Sequence, residues 1–247
     1  MDCDPPLLRT RVVKLFAHGD LWKSVGRSDG AHADVPGVRP RTGPKGTGVS
    51  DDAVVALRAG QVVLLPTDTV YGLAVDACRG APARRLYRLK NRPETEPIAL
   101  VAGEFDAILD AVPEARGRAA VAARALLPGP YTLVLPNPAR RFRWLCGTTP
   151  EAIGIRVPEL PQEAQAVVES LGFVAATSAN LHGGTDPARI EDVPREILDG
   201  CGAVVDAGEL PGTPSTVVDL TGPEPVVLRE GAVSAQDALD AATAALA

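Results

Sequence analysis

Four positively charged side chains stand at the ends of apolar segments, where they could bind an anion. Lys90 and Arg92 follow a helical pattern, and Arg156 and Arg229 each end an apolar, strand-like segment. An exposed lysine or arginine usually only solvates a surface. Four cations at the ends of such segments instead predict a site for a polyanion such as the phosphates of a nucleotide.

Neutral hydrogen-bonding residues accompany the cations at Thr69, Ser178, Asn180 and Ser215. Taken alone, the segment "TSAN" is more typical of a simple turn of the chain. No Ser-His-Asp or Cys-His pattern accompanies these residues, and His182 lies in a glycine-rich segment where nothing nearby would orient it. The combination favours a reaction catalysed by positioning and charge neutralisation over covalent attack.

The segment "LKNRPETEPI" at residues 89–98 predicts how Lys90 and Arg92 are presented. The helical pattern ends near Lys90, and Pro93 and Pro97 prevent its continuation. We therefore expect an extended segment, on which residues two apart project to the same side. Both cations should face one ligand, and neither is expected in the core.

The sequence predicts no protein-bound metal and no disulfide framework. The cysteines, at positions 3, 78, 146 and 201, are far apart, and the three histidines do not complete a zinc pattern.

The composition predicts a globular protein with one substantial core or two small ones. The chain has 247 residues, is 45% hydrophobic and carries a formal net charge of -6. No apolar run approaches the roughly 20 residues of a membrane span, and no secretory signal is evident, so we expect a cytoplasmic protein without a membrane partner. The acidic balance argues against a protein that coats nucleic acid, although a local basic patch could still bind RNA.

Helical and strand patterns alternate from residue 49 to residue 247, whereas residues 1–48 are rich in Gly, Pro and Arg and show no sustained period. We predict a disordered segment over 1–48, followed by one α/β domain with an open, twisted mixed sheet and flanking helices. One helical region is expected from Glu104 to Leu127. The final helix should be capped by Ser234, in an S-x-x-D pattern. Ligands of such sheets bind where strands end.

Seven motifs carry a resemblance to a known family. In chain order they are "PTDTVYGL", "KNRPETEP", "LPGPYTLVL", "IGIRVP", "TSAN", "PSTVVDL" and "LREG". Together they resemble the YrdC-type threonylcarbamoyl-adenylate synthases in their short, single-domain form. The resemblance implies a YrdC-like catalytic domain over residues 49–247 with a concave, positively charged face.

The resemblance also implies a reaction. L-threonine, bicarbonate and ATP, supplied with Mg²⁺, would give threonylcarbamoyl-AMP and pyrophosphate for the t6A37 modification of tRNA. A threonylcarbamoyl-transfer complex would act downstream, and direct RNA binding by this chain is possible.

Site residues follow from the resemblance, motif by motif. Lys90 and Arg92 of the K-x-R signature are implied to be catalytic and to bind ATP. Ser178, Asn180 and Arg229 are implied to bind ATP as well. Thr69, Arg156 and Ser215 are implied to bind threonine. Val101 and Ala152 depart from the family pattern, which often has histidine and threonine there, so the edges of the pocket should differ.

Two other functions remain open from the sequence. One is a non-enzymatic module that binds double-stranded RNA or acts in ribosome maturation, although the basic residues are few and no stacking aromatics accompany them. The other is a carbamoyl-transfer module of the hydrogenase-maturation type, which would bring an acylphosphatase domain and cysteine-paired zinc fingers that do not occur in this sequence.

Deletion of residues 1–48 should leave folding and turnover nearly unchanged, because their composition offers too little apolar surface to offset the entropy of ordering them. Thermal unfolding of the full and shortened chains measures the effect. A fall of several degrees in the melting temperature would contradict the prediction.

Overall fold

The computed structural model describes residues 48–246, so nearly all of the segment predicted to be disordered lies outside the described residues. Gly48 already belongs to the first helix, one residue before the predicted domain boundary. The helices are α1 Gly48–Arg58, α2 Gly80–Leu89, α3 Phe105–Ala111, α4 Arg118–Leu126, α5 Gln162–Leu171, α6 Arg195–Asp199 and α7 Ala235–Leu246. The strands are β1 Val62–Pro66, β2 Tyr71–Val75, β3 Ala99–Ala102, β4 Tyr131–Pro136, β5 Ala152–Arg156, β6 Phe173–Ser178, β7 Cys201–Val204, β8 Thr216–Asp219 and β9 Val226–Arg229.

All of these strands join one sheet of nine strands, in the order β7-β1-β2-β6-β3-β5-β4-β8-β9. Three neighbouring pairs are parallel, namely β1 with β7, β3 with β5, and β4 with β8, and the others are antiparallel. The prediction of an open mixed sheet with flanking helices is confirmed.

The two faces of the sheet are covered to different extents. On one face, Leu133, Leu135, Ile153 and Ile155 pack in a core with residues of α2, α3, α4 and α7. On the other face, α1 and α5 pack mainly against β1, β3, β6 and β7. Because side chains alternate along a strand, the neighbours of the buried residues of β4 and β5 point to this second, partly uncovered face. A concave region remains open over β5, β4 and β8.

Most predicted elements are present, but the region from Glu104 to Leu127 is not one helix. It divides into α3 and α4 around Pro113 and Gly117. Proline lacks the backbone N–H that a helix interior needs, and Gly117 has a φ of 78°, which glycine adopts readily.

The capping pattern at the start of α7 is confirmed. The backbone N–H of Asp237 donates to Ser234 Oγ at 3.1 Å, and Ser234 Oγ donates to a carboxylate oxygen of Asp237 at 2.7 Å. These bonds satisfy a donor that the first turn of a helix otherwise leaves unpaired.

Among residues 48–246, no helix has the length and apolar character that crossing a bilayer requires.

Replacing Leu133 by alanine should lower the free energy of unfolding by about 2–5 kcal/mol, because the side chain is fully buried between β4 and the helix layer. Leu228→Ala is the matched control. Leu228 is 58% exposed, so its truncation should cost no more than about 0.5 kcal/mol. Urea denaturation measures both values, and equal losses in the two variants would show that the core is misassigned.

Candidate active site

A cleft of about 470 Å³ lies on the partly uncovered face of the sheet. Its floor consists of small side chains of the central strands, among them Ala99, Ala152, Gly154 and Ala176. Five of the predicted site residues line it, namely Arg92, Arg156, Ser178, Ser215 and Arg229. Thr69, Lys90 and Asn180 are buried behind this surface, and each forms a hydrogen bond to a residue that lines it. The fold therefore brings all eight residues together.

Arg156 ends β5 and forms an ion pair with Asp68. Its Nη2 lies 2.5 Å from Asp68 Oδ1 and 3.1 Å from Thr69 Oγ1. Both charged side chains are nearly buried, at 12% and 10% exposure. Burial raises the pKa of the Asp68 carboxyl, and the charge of Arg156 opposes that rise. Asp68 was not predicted as a site residue, although it stands next to Thr69 in "PTDTVYGL".

The turn that carries Thr69 is built on the hydroxyl of Thr67. Thr67 Oγ1 donates to the carbonyl of Val70 at 2.7 Å and accepts from the backbone N–H groups of Thr69 and Val70, both at 3.3 Å. Such local side-chain bonds stabilise a turn at the end of a strand. Thr67 thus holds Thr69 in a position where the Thr69 hydroxyl contacts Arg156.

Arg229 and Ser215 contact each other at one corner of the cleft. Arg229 Nη2 donates to the carbonyl oxygen of Ser215 at 2.8 Å and to its Oγ at 3.3 Å. Ser215 Oγ also lies 2.8 Å from the hydroxyl of Thr132. The family resemblance implies that Arg229 binds ATP and that Ser215 binds threonine, so the two implied ligands would meet at this corner.

The backbone around Lys90 differs from the sequence prediction. Lys90 follows α2 in a helical conformation, with φ −81° and ψ −6°, and Asn91 has a φ of 52°. Asparagine tolerates this left-handed conformation, which commonly ends a helix. The expectation of an extended segment with both cations on one side is therefore wrong. Arg92 lines the cleft, whereas Lys90 points inward and is only 1% exposed.

The buried ammonium of Lys90 holds the end of β6. Its Nζ donates to the carbonyl oxygen of Ser178, to that of Asn180 at 2.8 Å, and to Asn180 Oδ1 at 2.7 Å. An ammonium has three hydrogens, and these three acceptors take one each. Burial, and secondarily the charge of Arg92, lower the pKa of Lys90 to about 8. The group is therefore still mainly protonated at neutral pH.

Asn180 extends this network beyond Lys90. Its Oδ1 also accepts from Ser178 Oγ at 2.6 Å, and its Nδ2 donates to the carbonyl oxygen of Gly184. Ser178 lines the cleft, so Lys90 and Asn180 together determine where that hydroxyl is presented.

Glu96 orients Arg92 at the mouth of the cleft. One carboxylate oxygen of Glu96 lies 3.2 Å from Arg92 Nη2, and the other lies 3.3 Å from His182 Nε2. Arg92 Nη2 also donates to the carbonyl oxygen of Pro97 at 2.9 Å. These contacts fix one edge of the guanidinium and leave the rest of the group beside the cleft.

The lining of the cleft carries more positive than negative groups. Its charged lining residues are Arg92, Arg156 and Arg229 on the positive side of the balance, and Asp186 and Asp219 on the negative side. The two acids were not predicted as site residues, although Asp219 lies within the motif "PSTVVDL". Val101 and Ala152, the departures from the family pattern, also line the cleft and make its wall apolar at those points. A cleft of this kind suits an anionic ligand that also presents donors.

Lys90→Met should lower the free energy of unfolding by at least about 1–3 kcal/mol, because it leaves carbonyl acceptors buried without a donor. Arg92→Met is the matched control and should cost less than about 1 kcal/mol, since Arg92 forms a partly exposed ion pair. Urea denaturation measures both. A Lys90→Met protein as stable as the parent would mean that the buried ammonium does not stabilise the fold.

Comparison with known proteins identifies the family. The model of the Sua5/YciO/YrdC family, which carries the description "Telomere recombination", matches residues 55–231. A putative threonylcarbamoyl-AMP synthase of Mycobacterium tuberculosis H37Rv is 34% identical over 185 residues, covering 74% of this chain and 84% of the relative. The human threonylcarbamoyl-AMP synthase is 36% identical over 181 residues, covering 69% of this chain and 62% of the relative.

A solved structure supports the same relationship. The crystal structure of P. abyssi Sua5 complexed with L-threonine superposes with a TM-score of 0.69 at 30% identity. The match covers 78% of this chain and 56% of the P. abyssi chain, so this chain spans little more than half of that relative. The cleft lies on the YrdC-like sheet that the two proteins share, and the chain belongs to the Sua5/YciO/YrdC family.

Proposed function

We propose that the protein is an L-threonylcarbamoyladenylate synthase, which forms threonylcarbamoyl-AMP and pyrophosphate from L-threonine, bicarbonate and ATP. One observation carries the proposal: a single cleft combines three guanidinium groups with the hydroxyls of Ser178 and Ser215. Bicarbonate, ATP and the product pyrophosphate are all negatively charged, and threonine carries a carboxylate, so the reaction needs such a site. Relatives that share the family bear this activity in their names.

Threonine and ATP would occupy different parts of the cleft. Arg156, held by Asp68 and Thr69, would bind the carboxylate of threonine, beside Ser215. Arg92 and Ser178 would bind phosphate oxygens of ATP. Arg229 lies at the Ser215 corner, where it could contact both ligands. This placement would bring threonine and the phosphates of ATP together in one cleft.

The chemistry then needs positioning and charge neutralisation. The amine of threonine takes up the carbon of bicarbonate, with loss of water, to give a carbamate. A carbamate oxygen bonds to the α-phosphorus of ATP as the bond from that phosphorus to the bridging β-phosphate oxygen breaks, and pyrophosphate leaves. Preorganised cations stabilise the charge that gathers on the phosphate oxygens. His182 is the one histidine among the described residues, and it contacts Glu96 rather than a nucleophile.

In this proposal Arg92 contacts the phosphates directly, whereas Lys90 acts through Ser178 and Asn180. The ammonium already has three protein acceptors, so it has no hydrogen left for a phosphate. The contribution of Lys90 to catalysis stays a prediction. We now expect it to act indirectly, by positioning Ser178 and Asn180.

Magnesium enters the proposal as part of the substrate, bound to the phosphates of ATP. Mg²⁺ prefers oxygen ligands and usually keeps several waters, so the phosphate oxygens of ATP and water can supply most of its ligands. Glu96 is already engaged with Arg92 and His182, which favours an orienting role for this residue over metal binding.

The product would serve the t6A37 modification of tRNA through a downstream threonylcarbamoyl-transfer complex, and the cytoplasm is the proposed location because ATP and tRNA are both present there. A double-stranded RNA-binding module remains the alternative. The cleft favours the enzyme, because its cations contact acids and hydroxyls within the fold, as Arg156 does with Asp68 and Arg229 with Ser215.

Purified protein with Mg²⁺ and ATP should convert labelled bicarbonate into a labelled adenylate, and should release pyrophosphate only when threonine is also present. Pyrophosphate release without threonine, or no labelled adenylate at all, would contradict the proposal. Retained binding of double-stranded RNA by such an inactive protein would favour the alternative.

Arg92→Ala should slow pyrophosphate release by about 10²-fold or more, as loss of one oriented donor commonly does. Arg92→Lys should also be slow, because a point charge does not reproduce the planar fork of a guanidinium. Arg195→Ala, which removes an exposed arginine of α6, is the control and should match the parent. An Arg92→Ala protein that is folded by circular dichroism and as fast as the parent would remove Arg92 from the mechanism.

A further inference from the structure

Thr132 forms a hydroxyl pair with Ser215 in the wall of the cleft. It lies within the motif "LPGPYTLVL" but was not predicted as a site residue. It lies on the cleft face of β4, and its Oγ1 is 2.8 Å from Ser215 Oγ. Arg229 Nη2 reaches the same Ser215 Oγ at 3.3 Å. The three side chains form a continuous series of hydrogen-bonding groups.

Counting hydrogens shows that this series has a donor to spare. A guanidinium has no acceptor, so Arg229 must donate to Ser215. The two hydroxyls carry two hydrogens, and only one of them lies between Ser215 and Thr132. Within residues 48–246, neither hydroxyl has a further acceptor at hydrogen-bonding distance. One hydrogen is therefore left for a ligand or for water.

Burial decides which hydroxyl carries the spare hydrogen. Both residues line the cleft, but Ser215 is only 2% exposed, whereas Thr132 is half-buried and more open to the cleft. A spare hydrogen on Ser215 would be a buried donor without a partner, which is unfavourable. If Ser215 instead donates to Thr132, both of its sites are used, and the hydrogen of Thr132 enters the cleft, where water can accept it.

We propose that Thr132 donates a hydrogen bond to the carboxylate of the amino-acid substrate, and that Ser215 is a positioning residue behind it. This inference rests on the proposed function and refines the expected role of Ser215. The bonds from Arg229 to Ser215 and from Ser215 to Thr132 run in one direction, so each donor polarises the next.

The position of Thr132 also fits a carboxylate. Leu133 pairs with Ile155 across the antiparallel strands β4 and β5. The register therefore places the next residues, Thr132 and Arg156, opposite each other. A carboxylate is an acceptor-only group with two oxygens, so it can take one bond from a guanidinium and one from a hydroxyl.

Binding of L-threonine to three variants, measured by calorimetry without ATP, tests the inference. Thr132→Val keeps the shape but removes the donor, and should weaken binding by about 10-fold or more. Ser215→Ala leaves the Thr132 hydroxyl in place without its orienting partner, and should weaken binding less, by about 3-fold. Thr132→Ser should restore binding to near the parent value. Thr243→Val, which removes an exposed hydroxyl of α7, is the control and should have no effect.

Two further readouts separate ligand contact from a merely structural role. In turnover, Thr132→Val should raise the KM for threonine while kcat and the KM for ATP stay near the parent values. L-threoninamide, which lacks the carboxylate, should bind the parent and Thr132→Val about equally well.

The inference is overturned if Thr132→Val binds L-threonine as the parent does, or if Ser215→Ala binds it more weakly than Thr132→Val. A parent protein that binds no L-threonine overturns it as well. If the parent protein binds L-threonine but forms no labelled adenylate, only the proposed function is wrong. The binding comparison among the variants then still decides the role of Thr132.

Discussion

The ammonium of Lys90 lies inside the protein, at the point where the end of α2 meets the end of β6. Burying a charge is costly unless every hydrogen finds an acceptor, and here Ser178 and Asn180 supply all three acceptors. Two segments that are distant in sequence are thereby held in one geometry. The cleft depends on this contact, because Ser178 and Arg92, on either side of it, both face the cleft.

The cleft itself results from incomplete coverage of the sheet. The helix layer of α2, α3, α4 and α7 covers one face, and α1 and α5 leave the second face open over β5, β4 and β8. Small residues on the open face, such as Ala99 and Gly154, make room for a ligand without disturbing the core on the opposite side. Stability and ligand binding are thus assigned to alternate residues of the same strands.

Each guanidinium of the cleft has a partner that limits its motion. Arg156 is paired with Asp68, Arg92 with Glu96, and Arg229 with Ser215. Side chains already held in one orientation lose little further entropy when a ligand binds. The acids also keep the number of uncompensated charges small, which allows three arginines to stand close together in a partly buried space. Catalysis by positioning and charge neutralisation is what such an arrangement can provide.

The sequence by itself determined the mixed α/β fold, most strand positions, the capped final helix and eight of the residues that gather at the cleft. These features depend on periodicity, on capping and turn residues, and on motifs that are local in the chain. The division of residues 104–127 was missed, although Pro113 and Gly117 were visible as possible breaks. Only the tertiary structure decided that Lys90 points inward, that Asp68 pairs with Arg156, and that Thr132 forms a hydrogen bond with Ser215. Each of these contacts joins residues far apart in sequence. The left-handed conformation of Asn91 was enough to direct the side chains of Lys90 and Arg92 to different places. Local patterns carry no information about such contacts, because sheet order and register determine which distant side chains meet.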